Sequence, residues 1–289
     1  MCQRDGVRRE RLELIGANGV TLVADAWGDP SHPPVLLLHG GGQTRHSWGG
    51  TAEVLARHSF HAVSADLRGH GESGWDPKGD YSLDTMRSDM EAWCERLHGP
   101  AVVGASMGGI TALWTEGGRA ADGLAPASRA VVLVDIAHRT ELAGVQRIVG
   151  FMTGRPEGFA SLEEAADAVA EHMPHRPRPS NLEGLAKNLR LGSDGRYRWH
   201  WDPAFMSEDR RPRTSTHSDL FVEHAKRLSV PVLLVRGRMS DVVSEETARE
   251  FLELVPHAQY VDVRDAHHMV AGDRNDAFTA PVVEFLRSL

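Results

Sequence analysis

Cysteine is nearly absent: the 289 residues hold only Cys2 and Cys94. That argues against a scaffold stapled by disulfides and makes a reducing compartment the expectation. Also missing is any long apolar run. The N-terminus, Met1-Cys2-Gln3-Arg4-Asp5-Gly6-Val7-Arg8-Arg9-Glu10, is charged and lacks the apolar centre of a secretory signal. No later stretch is long enough to cross a bilayer, so a cytoplasmic location without membrane insertion is expected. Nor is there an excess of base. The formal net charge is -8, which argues against nucleic acid as a partner, because phosphate binding requires a basic face. Internal repeats and low-complexity tracts are lacking too. What remains is the composition of an ordinary globular protein, 41% hydrophobic and 25% charged. The length suits one large α/β domain with room for an inserted lobe.

Against these absences stands one informative stretch, Gly104-Ala105-Ser106-Met107-Gly108. It spells G-x-S-x-G. The apolar run Ala101-Val102-Val103 leads into it, and Ile110-Thr111-Ala112-Leu113-Trp114 reads as the start of a helix. A strand, a sharp turn and a helix lift a serine hydroxyl out of the backbone, and small residues two positions either side let the chain close up. The pentapeptide alone is a modest signal, so its context decides.

Alternating patterns supply that context. Apolar runs at 11–15 and 20–27, joined at Asn18-Gly19, predict an antiparallel hairpin. Strands are expected at 35–38, 61–66, 130–135, 230–235 and 258–263, and helices at 51–58, 81–97 and 277–288. Between 139 and 227 no buried strand is evident. A helix at 161–173 opens on the capping sequence Ser161-Leu162-Glu163-Glu164. Strand and helix thus alternate before and after an insertion. This predicts a mainly parallel twisted sheet with helices on both faces and a helical cap inserted after the sixth strand. The core would comprise 1–138 and 226–289, and the cap 139–225, lying over the carboxyl ends of the strands where ligands bind.

Three strand ends carry candidate chemistry. The strand at 35–38 runs into His39-Gly40-Gly41-Gly42, whose backbone amides can face a cleft. Gly41 and Met107, the residue after the serine, are the expected oxyanion donors. The strand at 230–235 is followed by Gly237-Arg238-Met239-Ser240-Asp241. Asp241 is preferred as the acid that orients an imidazole, with Asp135, one strand earlier, as its competitor. The last strand is followed by Asp265-Ala266-His267-His268-Met269. Neighbouring side chains point in different directions, so one of the two histidines is the base. His172 and His175 share a break at Pro174 and carry no metal site; no cofactor is expected.

Ser106, Asp241 and His268 follow one another in the order nucleophile, acid, base. Here the chain resembles the α/β-hydrolase superfamily, over nearly its whole length. The resemblance rests on His39-Gly40-Gly41-Gly42, Asp66-Leu67-Arg68-Gly69-His70-Gly71-Glu72-Ser73, the serine pentapeptide, the segment 237–243 and His268-Met269-Val270-Ala271-Gly272. In similar relatives the base follows a glycine. This implies that His268 is catalytic and that His267 occupies the glycine's place, a departure from the pattern. The run 66–73 is similar to a structural turn of the family, so Asp66 and Arg68 are expected to brace loops.

The resemblance implies a serine hydrolase working through an acyl-enzyme on a small-molecule ester, thioester or lactone. Relatives acting on epoxides or haloalkanes place a carboxylate where Ser106 stands. Carbon–carbon hydrolysis, peracid formation, cofactor-free oxygen chemistry and a non-catalytic ligand receptor stay open as alternatives, because a fold does not fix a function. Trp48, Trp199 and Trp201 are candidate substrate-binding residues, with Tyr197 and Phe205 near the last two. Arg196 and Arg198 are candidates to receive a carboxylate. The competing reading makes these aromatics packing and leaves the arginines in water.

Overall fold

The computed structural model describes residues 8–207, 218–268 and 275–289. Cys2, the expected cap residues 208–217 and the motif tail Met269-Val270-Ala271-Gly272 lie outside the described residues. Among the described residues ten strands run in chain order: β1 (Arg9–Ile15), β2 (Thr21–Trp27), β3 (Pro34–Leu38), β4 (His61–Ala65), β5 (Ala101–Ala105), β6 (Ala130–Val134), β7 (Leu189–Leu191), β8 (Tyr197–Trp199), β9 (Val232–Gly237) and β10 (Gln259–Val263). Eight of them form one sheet in the order β1-β2-β4-β3-β5-β6-β9-β10. β1 and β2 are antiparallel to their neighbours, and every pairing from β4 through β10 is parallel. The β1–β2 connection bends through Asn18 (φ 57°) and Gly19 (φ 75°), both left-handed, the conformation these two residue types tolerate best.

Period-two alternation divides the central strands between two cores. Leu36 and Leu38 of β3, Val102 of β5, and Val131 and Leu133 of β6 face one layer. That layer contains α2 (Leu83–Arg96), α3 (Met107–Ala121) and α8 (Glu245–Leu254). Val35, Leu37, Val103, Val132 and Val134 face the other, with α1 (Gly49–Arg57) and the last helix, Asn275–Arg287. Both faces are covered, which is why these strands read as unbroken apolar runs rather than alternating ones. Trp48 belongs to this second layer, buried against Phe278 with ring centroids 5.7 Å apart.

The run 66–73 is a brace, as its resemblance implies. The fully buried Arg68 guanidinium donates to both Asp89 oxygens at 2.6 and 2.7 Å and to Asp76 at 3.0 Å. Asp66 accepts from the Arg45 amide at 2.6 Å and from its guanidinium. Arg68→Met is expected to lower the unfolding free energy by about 3–5 kcal/mol, because it leaves two carboxylates buried without their cation. Denaturant unfolding checks this; a loss below about 1 kcal/mol would show that the carboxylates find water instead.

Between β6 and β9 the chain leaves the sheet, as expected after the sixth strand. α4 (Leu142–Thr153), α5 (Leu162–His172) and α6 (Leu182–Ala186) come first. Ser161 caps α5, accepting from the Glu164 amide at 3.2 Å. The antiparallel β7–β8 hairpin was not expected; its three-residue strands are too short to register as apolar runs. α7 (Ser218–Lys226), inside the expected cap boundaries, packs on α3 of the core, with Phe221 and Trp114 ring centroids 5.3 Å apart.

Candidate active site

β5 ends at Ala105 and α3 begins at Met107, so Ser106 alone makes the turn. Its φ of 46° and ψ of -111° lie where residues with a Cβ are rarely found, a strain that the surrounding structure must hold. Close packing holds it. A Cβ on Gly104 would come within 2.5 Å of Gly108, and one on Gly108 within 2.4 Å of the Leu38 carbonyl. Both glycines are therefore required for strand and helix to approach so closely. The Ser106 amide donates to Val134 O at 3.1 Å, tying the turn to the end of β6.

The glycine loop after β3 folds over this turn. A Cβ on Gly40 would sit 3.4 Å from the Ser106 Cβ, and one on Gly41 would sit 4.0 Å from the Met107 sulfur. Most of the local amides are committed. Gly40 N–H donates to Gln43 Oε1 at 3.0 Å, Gly42 N–H to His70 Nε2 at 3.2 Å, and Gly108 N–H to His39 O at 3.2 Å. Among the described residues, the amides of Gly41 and Met107 have no such acceptor. These are the two expected at an oxyanion site.

Three buried histidines hold the loop. His39 donates from Nδ1 to Gly40 O at 2.8 Å and accepts the Leu67 amide on Nε2 at 3.0 Å. His70 donates from Nδ1 to Arg68 O at 3.0 Å while its Nε2 takes Gly42 N–H. His200, from the insertion, accepts Gly71 N–H on Nδ1 at 2.7 Å and donates from Nε2 to Gly42 O at 3.3 Å. Burial pushes the pKa of all three down, that of His70 well down and that of His200 to about 4. Each thus stays neutral near pH 7, keeping one nitrogen as donor and one as acceptor.

A carboxylate and an imidazole meet one strand away from Ser106. His268 Nδ1 donates to Asp135 Oδ2 at 2.7 Å. Asp135 is fully buried at the tip of β6, with φ 51°, and also accepts from Gly237 N–H at 2.9 Å and Ser240 Oγ at 2.5 Å. With Nδ1–H committed to a carboxylate, the neutral imidazole presents Nε2 as a free base. His267 instead stacks on His175 of the insertion, ring centroids 3.6 Å apart.

Asp241 does not meet His268, and the expectation that it would is corrected. After β9 it is Ser240 that turns towards the strand tips. Its hydroxyl donates to Asp135 and accepts from the amides of Val242 and Val243 at 3.1 and 3.2 Å. The next side chain must then point away. Asp241 is 41% exposed and pairs with Arg147 of α4.

Trp48 is also corrected: it packs in the core layer beneath the sheet, against Phe278, and not among the aromatics at the glycine loop. Trp201 lies directly on the glycine loop, since a Cβ on Gly42 would come within 3.2 Å of its ring and of Met152. Trp199 stacks on Trp201 with centroids 5.2 Å apart. Phe205 packs edge-on against His70 at 4.9 Å. Arg196 donates to the carbonyls of Glu157 and Gly158, and Arg198 pairs with Asp194, so neither waits for a carboxylate.

A family model for the alpha/beta hydrolase fold matches residues 33–274. The chain belongs to the α/β-hydrolase fold family. Esterase Rv0045c of Mycobacterium tuberculosis is 31% identical over 299 residues, covering 97% of this chain and 93% of that protein. A solved structure of that esterase superposes with a TM-score of 0.72 at 29% identity, over 98% of this chain and 91% of its own. The 3-hydroxybutyrate-oligomer hydrolase of Cupriavidus necator is 30% identical over 261 residues, 84% of this chain and 85% of that protein.

In this hydrolase, sequence reasoning missed Ser240, Gln43, His70 and His200. His70 sits between two glycines, a signal of a tight turn but not of what the ring holds. His200 lies hidden in the aromatic run Tyr197-Arg198-Trp199-His200-Trp201. Only the docking of the insertion reveals its partners.

Proposed function

We propose that this chain is a serine hydrolase that cleaves a small-molecule carboxylic ester, thioester or lactone. Ser106 is the nucleophile, His268 the general base and Asp135 the acid that orients it. The observation that carries this reading is the 2.7 Å contact from His268 Nδ1 to Asp135, at the same sheet edge as the strained Ser106. The esterase and the oligomer hydrolase, similar over most of their length, point the same way.

In this mechanism His268 Nε2 takes the Ser106 proton as Oγ attacks the acyl carbon. Asp135 stabilises the imidazolium without itself taking the proton. The Gly41 and Met107 amides receive the oxyanion of the tetrahedral intermediate. His268 then protonates the leaving group, and water releases the acyl-enzyme by the same route. Residues 139–225 act as a cap, with Trp199 and Trp201 on its inner side selecting the acyl or alcohol portion. No helix among the described residues is long and apolar enough to cross a membrane.

The test is turnover of activated esters graded from acetyl to long acyl chains, alongside a fluorophosphonate probe. Turnover with a single phosphonyl adduct on the Ser106 peptide is expected. Absence of both turnover and adduct would overturn the reading.

A further inference from the structure

The insertion contains a cavity of its own. About 240 Å³ of space lies between the second half of α4, the segment that follows it and the last turn of α5. That is close to the lower end of the range for small-molecule sites, roughly 300–1,000 Å³. Phe151 and Phe159 wall it. Both are fixed: Phe159 exchanges backbone hydrogen bonds with Tyr197 at 2.7 and 2.8 Å, and Phe151 stacks on the His172 ring with centroids 4.1 Å apart.

Gly150 lines the same cavity from within α4. Glycine is among the poorest helix formers, and nothing in the packing requires it at this position, since a Cβ would meet no atom within 4 Å. Gly154 differs, because a Cβ there would come within 2.8 Å of Gly150 O. What a side chain at 150 would do is fill the cavity. Met152, which presses on Gly42, lies about 160° from Gly150 around the helix axis. The cavity and the glycine loop beside Ser106 are therefore on opposite sides of α4.

The charge balance of the cavity is negative. Arg155 is committed: it donates to Glu164 at 3.0 Å and lies over the Phe159 ring, 5.7 Å from its centroid. Arg178 takes Asp167 at 2.6 Å. Glu171, one turn beyond Asp167, has no ion-pair or hydrogen-bond partner among the described residues, and neither does the imidazole of His172 beside it. Burial, reinforced by the nearby Arg147, pushes the His172 pKa down, so the ring stays neutral near pH 7 and keeps a lone pair. An anion and a neutral acceptor thus stand without partners next to two aromatic walls.

We propose that this cavity is a second ligand site, distinct from the Ser106 cleft, for a small primary amine carried on an aromatic body. The ammonium donates to the Glu171 carboxylate and to a His172 nitrogen, and the ring packs over Gly150 between Phe151 and Phe159. The site does not depend on the serine-hydrolase reading.

Phenethylammonium is the probe, and 3-phenylpropionate, of similar shape and opposite charge, is its control. Calorimetric titration near neutral pH is expected to give saturable binding of phenethylammonium with Kd below about 1 mM and binding of the anion weaker by about tenfold or more. Gly150→Leu should abolish binding with a thermal midpoint no lower than wild type, because leucine is the better helix former. Glu171→Gln, a change at the exposed mouth, should weaken binding by about 5- to 10-fold. Protein treated beforehand with the fluorophosphonate should bind the amine as untreated protein does. No measurable binding of the amine, equal binding of the anion, undiminished binding in folded Gly150→Leu, or loss of binding after fluorophosphonate treatment would each overturn the proposal. Should Gly150→Leu fold poorly, Glu171→Gln decides alone, an unchanged Kd overturning it.

Discussion

Asp135→Asn is expected to lower kcat/KM for an activated ester by about four orders of magnitude, while Asp241→Asn stays within about threefold of wild type. The reason lies in what Asp135 must accept. Gly237 N–H, Ser240 O–H and His268 Nδ1–H all point at its two oxygens. An asparagine has one oxygen to offer. If that oxygen faces Gly237, the amide NH2 faces Nδ1, and the imidazole must place its proton on Nε2. The nitrogen that should accept the Ser106 proton then already holds one. The flipped amide would leave a buried backbone N–H against an NH2 group, which costs about 1–3 kcal/mol. Asp241→Asn removes only a half-exposed pair with Arg147, and such surface pairs contribute little. Steady-state kinetics on both variants, with far-ultraviolet circular dichroism to confirm folding, decide the matter. A silent Asp135→Asn beside a dead Asp241→Asn would reverse the assignment.

Ser106→Ala is expected to remove turnover by a factor on the order of 10⁶, the size found when a triad serine is lost from a site of this kind. Its thermal midpoint should stay near wild type, because alanine keeps the Cβ and hence the strain at φ 46°, ψ -111°. Ser106→Gly, equally inactive, should be more stable than Ser106→Ala by about 1 kcal/mol, since glycine tolerates that conformation. Two inactive variants with different stabilities would separate the chemistry of the residue from the strain of its backbone. Residual turnover above about one per cent in Ser106→Ala would point to another nucleophile. Equal stabilities would mean that the turn is not strained.

The sheet was legible because its strands are buried on both faces, and an unbroken run such as Val35-Leu36-Leu37-Leu38 carries that burial in its composition. The serine turn was legible for a related reason: Gly104 and Gly108 have steric reasons that a sequence displays. His268 was singled out by resemblance and stands against a carboxylate. The sequence favoured Asp241 over Asp135, although each follows a strand of the same sheet. What separates them is the direction of one loop, in which Ser240 occupies the inward position that Asp241 was expected to fill. Nothing in Arg238-Met239-Ser240-Asp241 encodes that direction. The histidine cluster was opaque for a different reason, because its hydrogen bonds join residues 42, 71 and 200, brought together only when the insertion folds back.

The location of Asp135 has a mechanical consequence. The acid is the last fixed point before the chain departs for the insertion, and three donors clamp it. Ile136, Ala137 and His138, which follow it, are buried. The first residue beyond them to grip the opposite loop is Glu141, whose amide donates to Val242 O at 2.8 Å. The segment that leads into the insertion is tied to the core at successive points, Arg139 to Thr247 and Glu250 of α8 and Glu141 to Val242 and Thr247, so the carboxylate that holds the imidazole sits at the base of an anchored stem. An added residue within 139–141 should therefore disturb the stem while the three donors on Asp135 persist, whereas one added between 135 and 138 would displace the carboxylate itself.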